Sequence, residues 1–231
     1  SKGMHISLGR PKYEGDEQTI HGGDRDFCVR AVREGFAAIS LEQRNFGECG
    51  GSEKGPACLE SSMTALLMGR TTIGERVWDV SRLIDVIESE FADQVDIKNI
   101  GCMGNSGGGP STAYIAALED RIALAMPSCA MCTFKDSIGA MAHCCCNYVP
   151  AMSECFDMND LMAMAYPKYY VQVSGIEDPI FPLSGAEQVF EKGKQVYEVF
   201  GEGHRCTLVK GMGGHRFYAD DAWPVVRKYL F

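Results

Sequence analysis

The sequence has no long hydrophobic run, few histidines and no excess of positive charge. No stretch of about 18 consecutive apolar residues occurs, which excludes a conventional membrane-spanning helix. The 231 residues carry 22 lysines and arginines against 31 aspartates and glutamates, a formal net charge of −9. Because nucleic acids and anionic membrane surfaces are bound by clustered Lys and Arg, this balance disfavours both as partners. The five histidines are scattered and form no metal-binding tract.

Cysteine, by contrast, is abundant. The eleven cysteines lack the even, loop-rich spacing of a small secreted scaffold, and several, such as Cys28, Cys102 and Cys129, lie in apolar surroundings. We interpret most of them as reduced core residues, which favours a cytoplasmic protein. The chain opens Ser-Lys-Gly without a Met and shows no signal peptide, so the sequence leaves an upstream leader open.

The hydrophobic pattern alternates between helical and extended periods. With 45% hydrophobic residues, the chain can bury one core, and we expect a single α/β domain over residues 1–231. Strand patterns alternating with helical ones predict a mostly parallel central sheet with helices on both faces. The predicted helices cover 26–34, 59–68, 75–91, 111–118, 185–200 and 219–231; the predicted strands cover 36–41, 95–102, 122–127, 169–174 and 205–209; residues 1–24 are predicted as loop.

One serine stands among glycines where a predicted strand gives way to a predicted helix. The segment Gly104-Asn105-Ser106-Gly107-Gly108 has the Gly-x-Ser-x-Gly spacing of a nucleophile elbow, in which small neighbours two positions before and after the serine relieve clashes. Ser106 is therefore the candidate nucleophile. The amide of Gly107, at the start of the helix, is the candidate oxyanion donor.

A serine nucleophile needs a base, and the base needs an orienting carboxylate. In a nucleophile-elbow fold these follow in the order acid, then histidine, in loops after later strands. Asp178 follows the predicted strand 169–174, and His215 follows the predicted strand 205–209. Ser106, Asp178 and His215 are thus the predicted catalytic triad, with Glu177 as the rival acid.

These motifs resemble those of α/β-hydrolases, with "GNSGGG", "GIEDPIFP" and "GGHRFY" in sequence. Within that superfamily the chain most resembles the dienelactone hydrolase-like and acetyl xylan esterase-like bacterial esterases, through "GFAAISLEQRNFGE", "GRTTIGERVWDVSRLIDVI" and "NYVPAM". True dienelactone hydrolases use a cysteine nucleophile, whereas this chain has Ser106. The resemblance implies an α/β-hydrolase fold, an acyl-enzyme mechanism without cofactor, and a small acyl group such as acetyl on a carbohydrate or similar alcohol.

The chain departs from the superfamily at its beginning. The strands expected before the helix 26–34 are absent, so we expect either a fragment of a longer protein or a trimmed family member. "HGGD" at His21–Asp24 resembles the His-Gly oxyanion loop, but no apolar strand precedes it. A sheet edge left open by missing strands favours pairing with another chain, which includes homo-oligomers.

Two further clusters are open to more than one interpretation. "HCCCN", His143–Asn147, lies in a Met- and Cys-rich excursion over 130–166 that is predicted to cover the active site as a lid. Adjacent residues cannot all reach one tetrahedral centre, so we predict no metal, with zinc shared between this run and Cys129/Cys132 as the weaker alternative. Arg44 and Glu48, after the strand 36–41, are candidate substrate contacts, with a structural ion pair as the alternative.

The sequence therefore predicts a serine esterase that needs no cofactor and acts on a small-molecule or carbohydrate ester. Peptidase and thioesterase activities of the same fold remain alternatives. A non-catalytic binding module of hydrolase shape, lacking part of its oxyanion hole, is the alternative from a different class.

Overall fold

A computed structural model describes residues 3–50 and 57–230. Its sheet has four parallel strands, which lie side by side in the order in which they follow one another in sequence. The strands are β1 (Ile100–Asn105), β2 (Ile122–Ser128), β3 (Tyr169–Gly175) and β4 (Cys206–Gly211). The helices within the described residues are α1 (Met4–Ser7), α2 (Asp16–Gly22), α3 (Phe27–Arg33), α4 (Cys58–Leu67), α5 (Thr72–Glu90), α6 (Gly108–Leu118), α7 (Met152–Cys155), α8 (Met158–Met164), α9 (Leu183–Val199) and α10 (Ala219–Leu230).

Helices cover both faces of the sheet because neighbouring strand residues point in opposite directions. Ala125 and Tyr170 face a core cluster completed by side chains of α6, α8 and α9. Leu124 and Val171 face a second cluster completed by side chains of α3 and α10. The predicted architecture, a parallel sheet between helical layers, is confirmed. The final residue of the predicted helix 219–231 lies outside the described residues.

Two strand predictions were wrong in whole or in part. Residues 36–41 form no strand, and the edge of β1 that faces away from β2 has no strand partner among the described residues. Phe36 packs instead on Trp223 of α10, with ring centroids 5.6 Å apart. The strand predicted over 95–102 begins only at Ile100, since Asp96 accepts hydrogen bonds from Lys98 N and Asn99 Nδ2 and holds the preceding residues in a turn.

The loop predicted over residues 1–24 was also wrong in part, because it contains α1 and α2. The buried carboxylate of Asp16 accepts hydrogen bonds from the amides of Lys12 and Tyr13, at 2.9 and 2.8 Å. Ile6 and Ile20 are the buried apolar side chains of the two helices, too few to produce a visible helical period. Among the described residues, no helix has both the length and the apolar character needed to cross a membrane.

The 130–166 segment joins β2 to β3 and combines core and surface positions. Met158 and Met162 of α8 are fully buried against the α9 side of the core, whereas Met141 and Met164 are exposed. Asp157 and Asp160 form a capping box that fixes the start of α8. Part of this excursion is therefore core rather than a pliable cover.

Candidate active site

Ser106 occupies the tight turn between β1 and α6. Its φ of +56° lies in the left-handed region, which a residue with a side chain adopts only when its surroundings impose it. Two backbone hydrogen bonds hold the turn, from Ser106 N to Ser128 O at 2.9 Å and from Gly109 N to Ser106 O at 2.8 Å. Gly107 precedes the first residue of α6, and within the described residues its N–H has no hydrogen-bond acceptor.

The glycines around Ser106 are needed to different degrees. A Cβ at Gly104 would lie 2.3 Å from Gly108 O, and one at Gly109 would lie 2.1 Å from the Cβ of Ala130. A Cβ at Gly108 would meet only Gln43 Nε2, at 3.8 Å. The steric requirement therefore falls on Gly104 and Gly109, whereas the sequence motif placed it on Gly104 and Gly108.

His215 lies in the loop after β4 and bridges the serine and an aspartate. Its Nε2 is 2.8 Å from Ser106 Oγ, and its Nδ1 is 2.8 Å from Asp178 Oδ2. Asp178 lies in the loop after β3. Because the strands are parallel, their carboxyl ends share one edge of the sheet, and the three side chains converge there.

Asp178 is held as a carboxylate by its hydrogen bonds. Only 4% of the residue is exposed, and its Oδ1 accepts the amides of Ile180 and Phe181 at 2.8 and 3.1 Å. Burial alone would raise the pKa of Asp178, but the hydrogen bond with His215, its charge and the two amides outweigh burial and lower that pKa. Glu177, the rival acid, is exposed, and it is Asp178 that contacts His215.

The 130–166 segment contributes a second histidine near His215. The Phe181 ring stacks on His215, with ring centroids 6.0 Å apart. The His143 ring meets the same Phe181 ring edge-on, with centroids 5.4 Å apart. His143 Nε2 is 3.2 Å from Ser137 Oγ. Burial, with the charge of His215 adding to it, lowers the pKa of His143.

Known esterases resemble the chain in sequence and in structure. A family model described as glucuronyl esterase of fungi matches residues 60–133, a span that includes β1, Ser106 and β2. A Bacteroides fragilis protein assigned as an acetyl xylan esterase aligns with 96% of this chain and 57% of its own length, at a TM-score of 0.73 and 13% identity. The chain has the α/β-hydrolase fold.

Other relatives agree with this fold. A family 15 carbohydrate esterase, a glucuronoyl esterase from Caldicellulosiruptor kristjansonii, aligns with 70% of this chain at a TM-score of 0.58 and 18% identity. The chain spans about half of that esterase, 49% of its length. In sequence, the chain is 24% identical over 208 residues to YtaP of Bacillus subtilis (strain 168), a protein assigned as a hydrolase, covering 87% of this chain and 68% of YtaP. The resemblance to α/β-hydrolase esterases is therefore confirmed.

The two candidate substrate contacts, Arg44 and Glu48, differ in their surroundings. Arg44 forms a two-pronged ion pair with Asp79 of α5, at 2.6 and 2.7 Å, and a further bond of 3.1 Å with Glu75. Glu48 is exposed in a 3-10 turn, Gly47–Cys49. Neither side chain has a hydrogen bond or ion pair with the triad in the described structure. For Arg44 the alternative of a structural ion pair is thus observed. Its partners are acidic residues of α5, which the sequence analysis did not single out.

The "HGGD" segment lies beside the loop that carries His215. His21 itself is exposed at the end of α2 and pairs with Glu17 at 3.1 Å. Gly23 O accepts the amide of Phe217 at 3.2 Å, and Asp24 Oδ2 pairs with Arg216 at 2.5 Å. The segment therefore braces the histidine loop, and a role in an oxyanion hole stays a prediction.

Sequence reasoning missed Cys129 as a neighbour of the triad. Its sulfur is within 4.8 Å of ligand atoms of Asp178 and His215, and it donates to Arg216 O at 3.1 Å. Burial, with the nearby Asp178 charge, raises the pKa of Cys129 to about 12, so the group is a neutral thiol. Cys129 directly follows β2, at the same edge of the sheet as Ser106, and this position in the sequence could have predicted its proximity to the triad.

Proposed function

We propose that the chain hydrolyses carboxylic esters, with Ser106 as nucleophile, His215 as general base and Asp178 as the orienting carboxylate. The hydrogen-bonded series from Ser106 through His215 to Asp178 carries the proposal, since both of its bonds measure 2.8 Å. A serine hydroxyl becomes an effective nucleophile when a base accepts its proton during attack. His215 Nε2 is at the distance that this transfer requires.

In the first half of the reaction, Ser106 Oγ attacks the ester carbonyl while its proton passes to His215 Nε2. The negative charge that develops on the carbonyl oxygen is stabilised by the Gly107 N–H at the start of α6, where the helix dipole also favours an anion. The imidazolium then gives its proton to the departing alcohol, and an acyl-serine remains.

In the second half, water attacks the acyl carbonyl while His215 Nε2 takes its proton. The bond between the acyl carbon and Ser106 Oγ then breaks, the imidazolium returns the proton to Oγ, and the carboxylic acid leaves. Asp178 stabilises the transient imidazolium and fixes the proton on Nδ1, which leaves Nε2 free to act as base. The reaction uses protein groups alone. The neutral, buried thiol of Cys129 takes no part in bond formation.

The leading substrate class is a small acyl ester, such as acetyl, on a carbohydrate. The sequence motifs resembling acetyl xylan esterase-like proteins support it, as does the structural likeness to a protein assigned to that activity. A second candidate is an ester of a glucuronic acid, in which the sugar supplies the acyl half, because the glucuronyl esterase model matches the segment containing Ser106. Acetylated xylo-oligosaccharide and an alkyl glucuronate ester, assayed side by side, separate these two.

A fluorophosphonate probe with peptide mapping by mass spectrometry tests the catalytic role, with p-nitrophenyl acetate turnover measured in parallel. We expect an adduct on Ser106 and turnover, both lost in Ser106→Ala and both retained in Ser89→Ala, which removes an exposed serine. A folded protein that neither labels nor turns over any ester would overturn the proposal and favour the non-catalytic module. Hydrolysis of only an amide or a thioester would favour the peptidase or the thioesterase.

A further inference from the structure

Three cysteine thiols from two distant parts of the chain meet beside α4. Cys58 is the first residue of α4, and Cys144 and Cys146 flank the start of a 3-10 turn, Cys145–Asn147. Their sulfur atoms all lie within 4.8 Å of one another, with Cys144 and Cys146 Sγ 3.2 Å apart. Three convergent thiols are a donor set that soft and borderline metal ions prefer.

A buried cation that has no carboxylate partner among residues 3–50 and 57–230 adjoins the thiols. Arg76 of α5 is 2% exposed, and its Nη2 lies 3.5 Å from Cys58 Sγ and 3.0 Å from Arg44 O. Its Nε and Nη1 are buried and have no hydrogen-bond partner in the described structure. The guanidinium also lies over the Phe46 ring, 4.9 Å from its centroid. Because arginine stays protonated in proteins, it places next to the cluster a positive charge that no carboxylate among the described residues pairs with.

From these two observations we propose that Cys58, Cys144 and Cys146 bind one Zn²⁺ ion as thiolates. Binding releases three thiol protons, so Zn²⁺ and three thiolates carry a net charge of minus one. The guanidinium of Arg76 supplies the matching positive charge. A monovalent ion such as Cu⁺ would leave one further negative charge buried, so the charge balance favours Zn²⁺.

The spacing of the thiols is compatible with zinc. A zinc–sulfur bond of about 2.3 Å in a tetrahedron sets the sulfur atoms about 3.8 Å apart. In the structure, Cys144 Sγ and Cys146 Sγ are 3.2 Å apart, and all three sulfur atoms lie within 4.8 Å of one another. The separation expected for zinc falls between these two values. Cys144 is only partly buried, so a water molecule can complete the fourth position.

The expectation of no metal at "HCCCN" considered ligands next to one another in sequence. In the structure, Cys58 replaces the adjacent Cys145 as third donor, and this long-range contact was invisible in the local pattern. The sequence alternative of zinc shared with Cys129 and Cys132 is not supported, since Cys129 lies against Asp178 and His215 and Cys132 Sγ is directed to Pro182 O, at 3.7 Å.

The zinc ion would fasten the 130–166 segment to α4. Cys144 directly follows His143, whose ring contacts Phe181 beside His215. Loss of the ion is therefore expected to loosen this wall of the site while leaving Ser106 and its hydrogen bonds in place. Zinc binding itself does not depend on the proposed esterase activity.

The direct test is the zinc content of the full chain, prepared without a histidine tag in a non-thiol reductant. Elemental analysis should give one Zn²⁺ per chain in the wild type and in the control Cys155→Ser, which removes an exposed cysteine. Content near zero is expected in Cys58→Ser and Cys146→Ser. Co²⁺ should replace Zn²⁺ and give the thiolate-to-metal absorption of a tetrahedral thiolate site.

A second measurement uses the wild-type protein, so it tests the site even if a cysteine variant does not fold. Alkylation followed by peptide mapping should find Cys58, Cys144 and Cys146 protected in the zinc-loaded protein and reactive after chelation, with Cys155 reactive in both. Arg76→Met, a replacement of similar volume, should weaken zinc affinity by roughly 10–100-fold, as for other groups that support metal ligands.

Three results would overturn the proposal. The first is reduced, folded protein that binds no zinc. The second is zinc content unchanged by Cys58→Ser and Cys146→Ser, which would place the ion elsewhere. The third is a disulfide between members of the cluster in protein kept under reductant, which would identify a redox pair instead.

Discussion

At the scale of single residues, Asp178 is held through both of its carboxylate oxygens. One carboxylate oxygen faces His215, and the other accepts two backbone amides of its own loop. A buried carboxylate with this many donors is fixed in position as well as in charge. The tautomer and orientation of the imidazole follow from it.

Asp178→Asn should therefore lower kcat by about 10³–10⁴-fold, because an amide can present an N–H to Nδ1 and stabilise the tautomer that leaves Nε2 protonated. The matched control is Glu177→Gln, which removes the exposed neighbouring carboxylate and should leave kcat within about twofold. Steady-state kinetics on p-nitrophenyl acetate make the comparison. Equal losses in the two variants would contradict the assigned roles.

The same carboxylate should make stability depend on acid pH. Because the folded-state pKa of Asp178 is lowered from the ordinary value of 3.8, its contribution is fully present above 3.8 and is lost as pH falls through the folded-state pKa. The difference in unfolding free energy between the wild type and Asp178→Asn should shrink as pH falls below the ordinary value of 3.8. Urea titrations from pH 7 to acid measure this difference. A difference that grew as pH fell below 3.8 would reverse the sign of the linkage.

At the scale of elements, the packing of β1, α6 and β2 sets the geometry of the elbow. Ser128 Oγ donates to Asn105 Oδ1 at 2.8 Å, and the backbone of Ser128 accepts the amide of Ser106. The left-handed conformation of Ser106 costs about 1–3 kcal/mol, which these contacts between neighbouring strands offset.

The elbow predicts opposite responses at two adjacent glycines. Gly109→Ala should lower the free energy of unfolding by about 1–3 kcal/mol, because its methyl group would meet Ala130 Cβ at 2.1 Å and force β2 away from α6. Gly108→Ala should be neutral or stabilising by up to about 1 kcal/mol, because that position has room and lies in a helix. Urea denaturation of both variants measures the contrast. Equal destabilisation would contradict this account of the motif.

Local sequence patterns predicted the helices and strands in which buried apolar residues recur at a regular spacing. The helix period of α5 and the apolar runs of β2 and β3 were visible because burial repeats along each element. Residues 36–41 have the same apolar run as a strand, but Phe36 packs on Trp223 of α10 and the segment joins no ladder in the described structure, a long-range choice that the local pattern does not contain. The short helices α1 and α2 were missed because one buried apolar residue in each gives no period.

At the scale of the whole molecule, the triad depends on contacts between distant segments. His215 is separated from Ser106 by 109 positions and from Asp178 by 37. Their order, and their positions at strand ends, were predictable from the motif because a parallel sheet brings those ends together. The cluster around Cys58 and the ion pairs of Arg44 were not predictable, since no repeating local rule places α4 or α5 against those loops.

The shared sheet also predicts that the two core layers unfold together. Val189 on α9 and Val226 on α10 are buried on opposite faces of the sheet, 0% and 3% exposed. Each layer packs on alternate residues of the same strands, so neither face can lose its packing while the strands retain theirs.

Val189→Ala and Val226→Ala should each lower the free energy of unfolding by about 1–3 kcal/mol, through lost burial and the cavity that remains. Both variants should retain a single urea transition with an unchanged m-value. Coincident near- and far-ultraviolet circular dichroism tests this, with Val199→Ala, at an 81% exposed position of α9, as the control that should change stability little. A second transition in only one variant would mean that the two helical layers unfold as separate units. The shared sheet would then not couple the unfolding of one layer to that of the other.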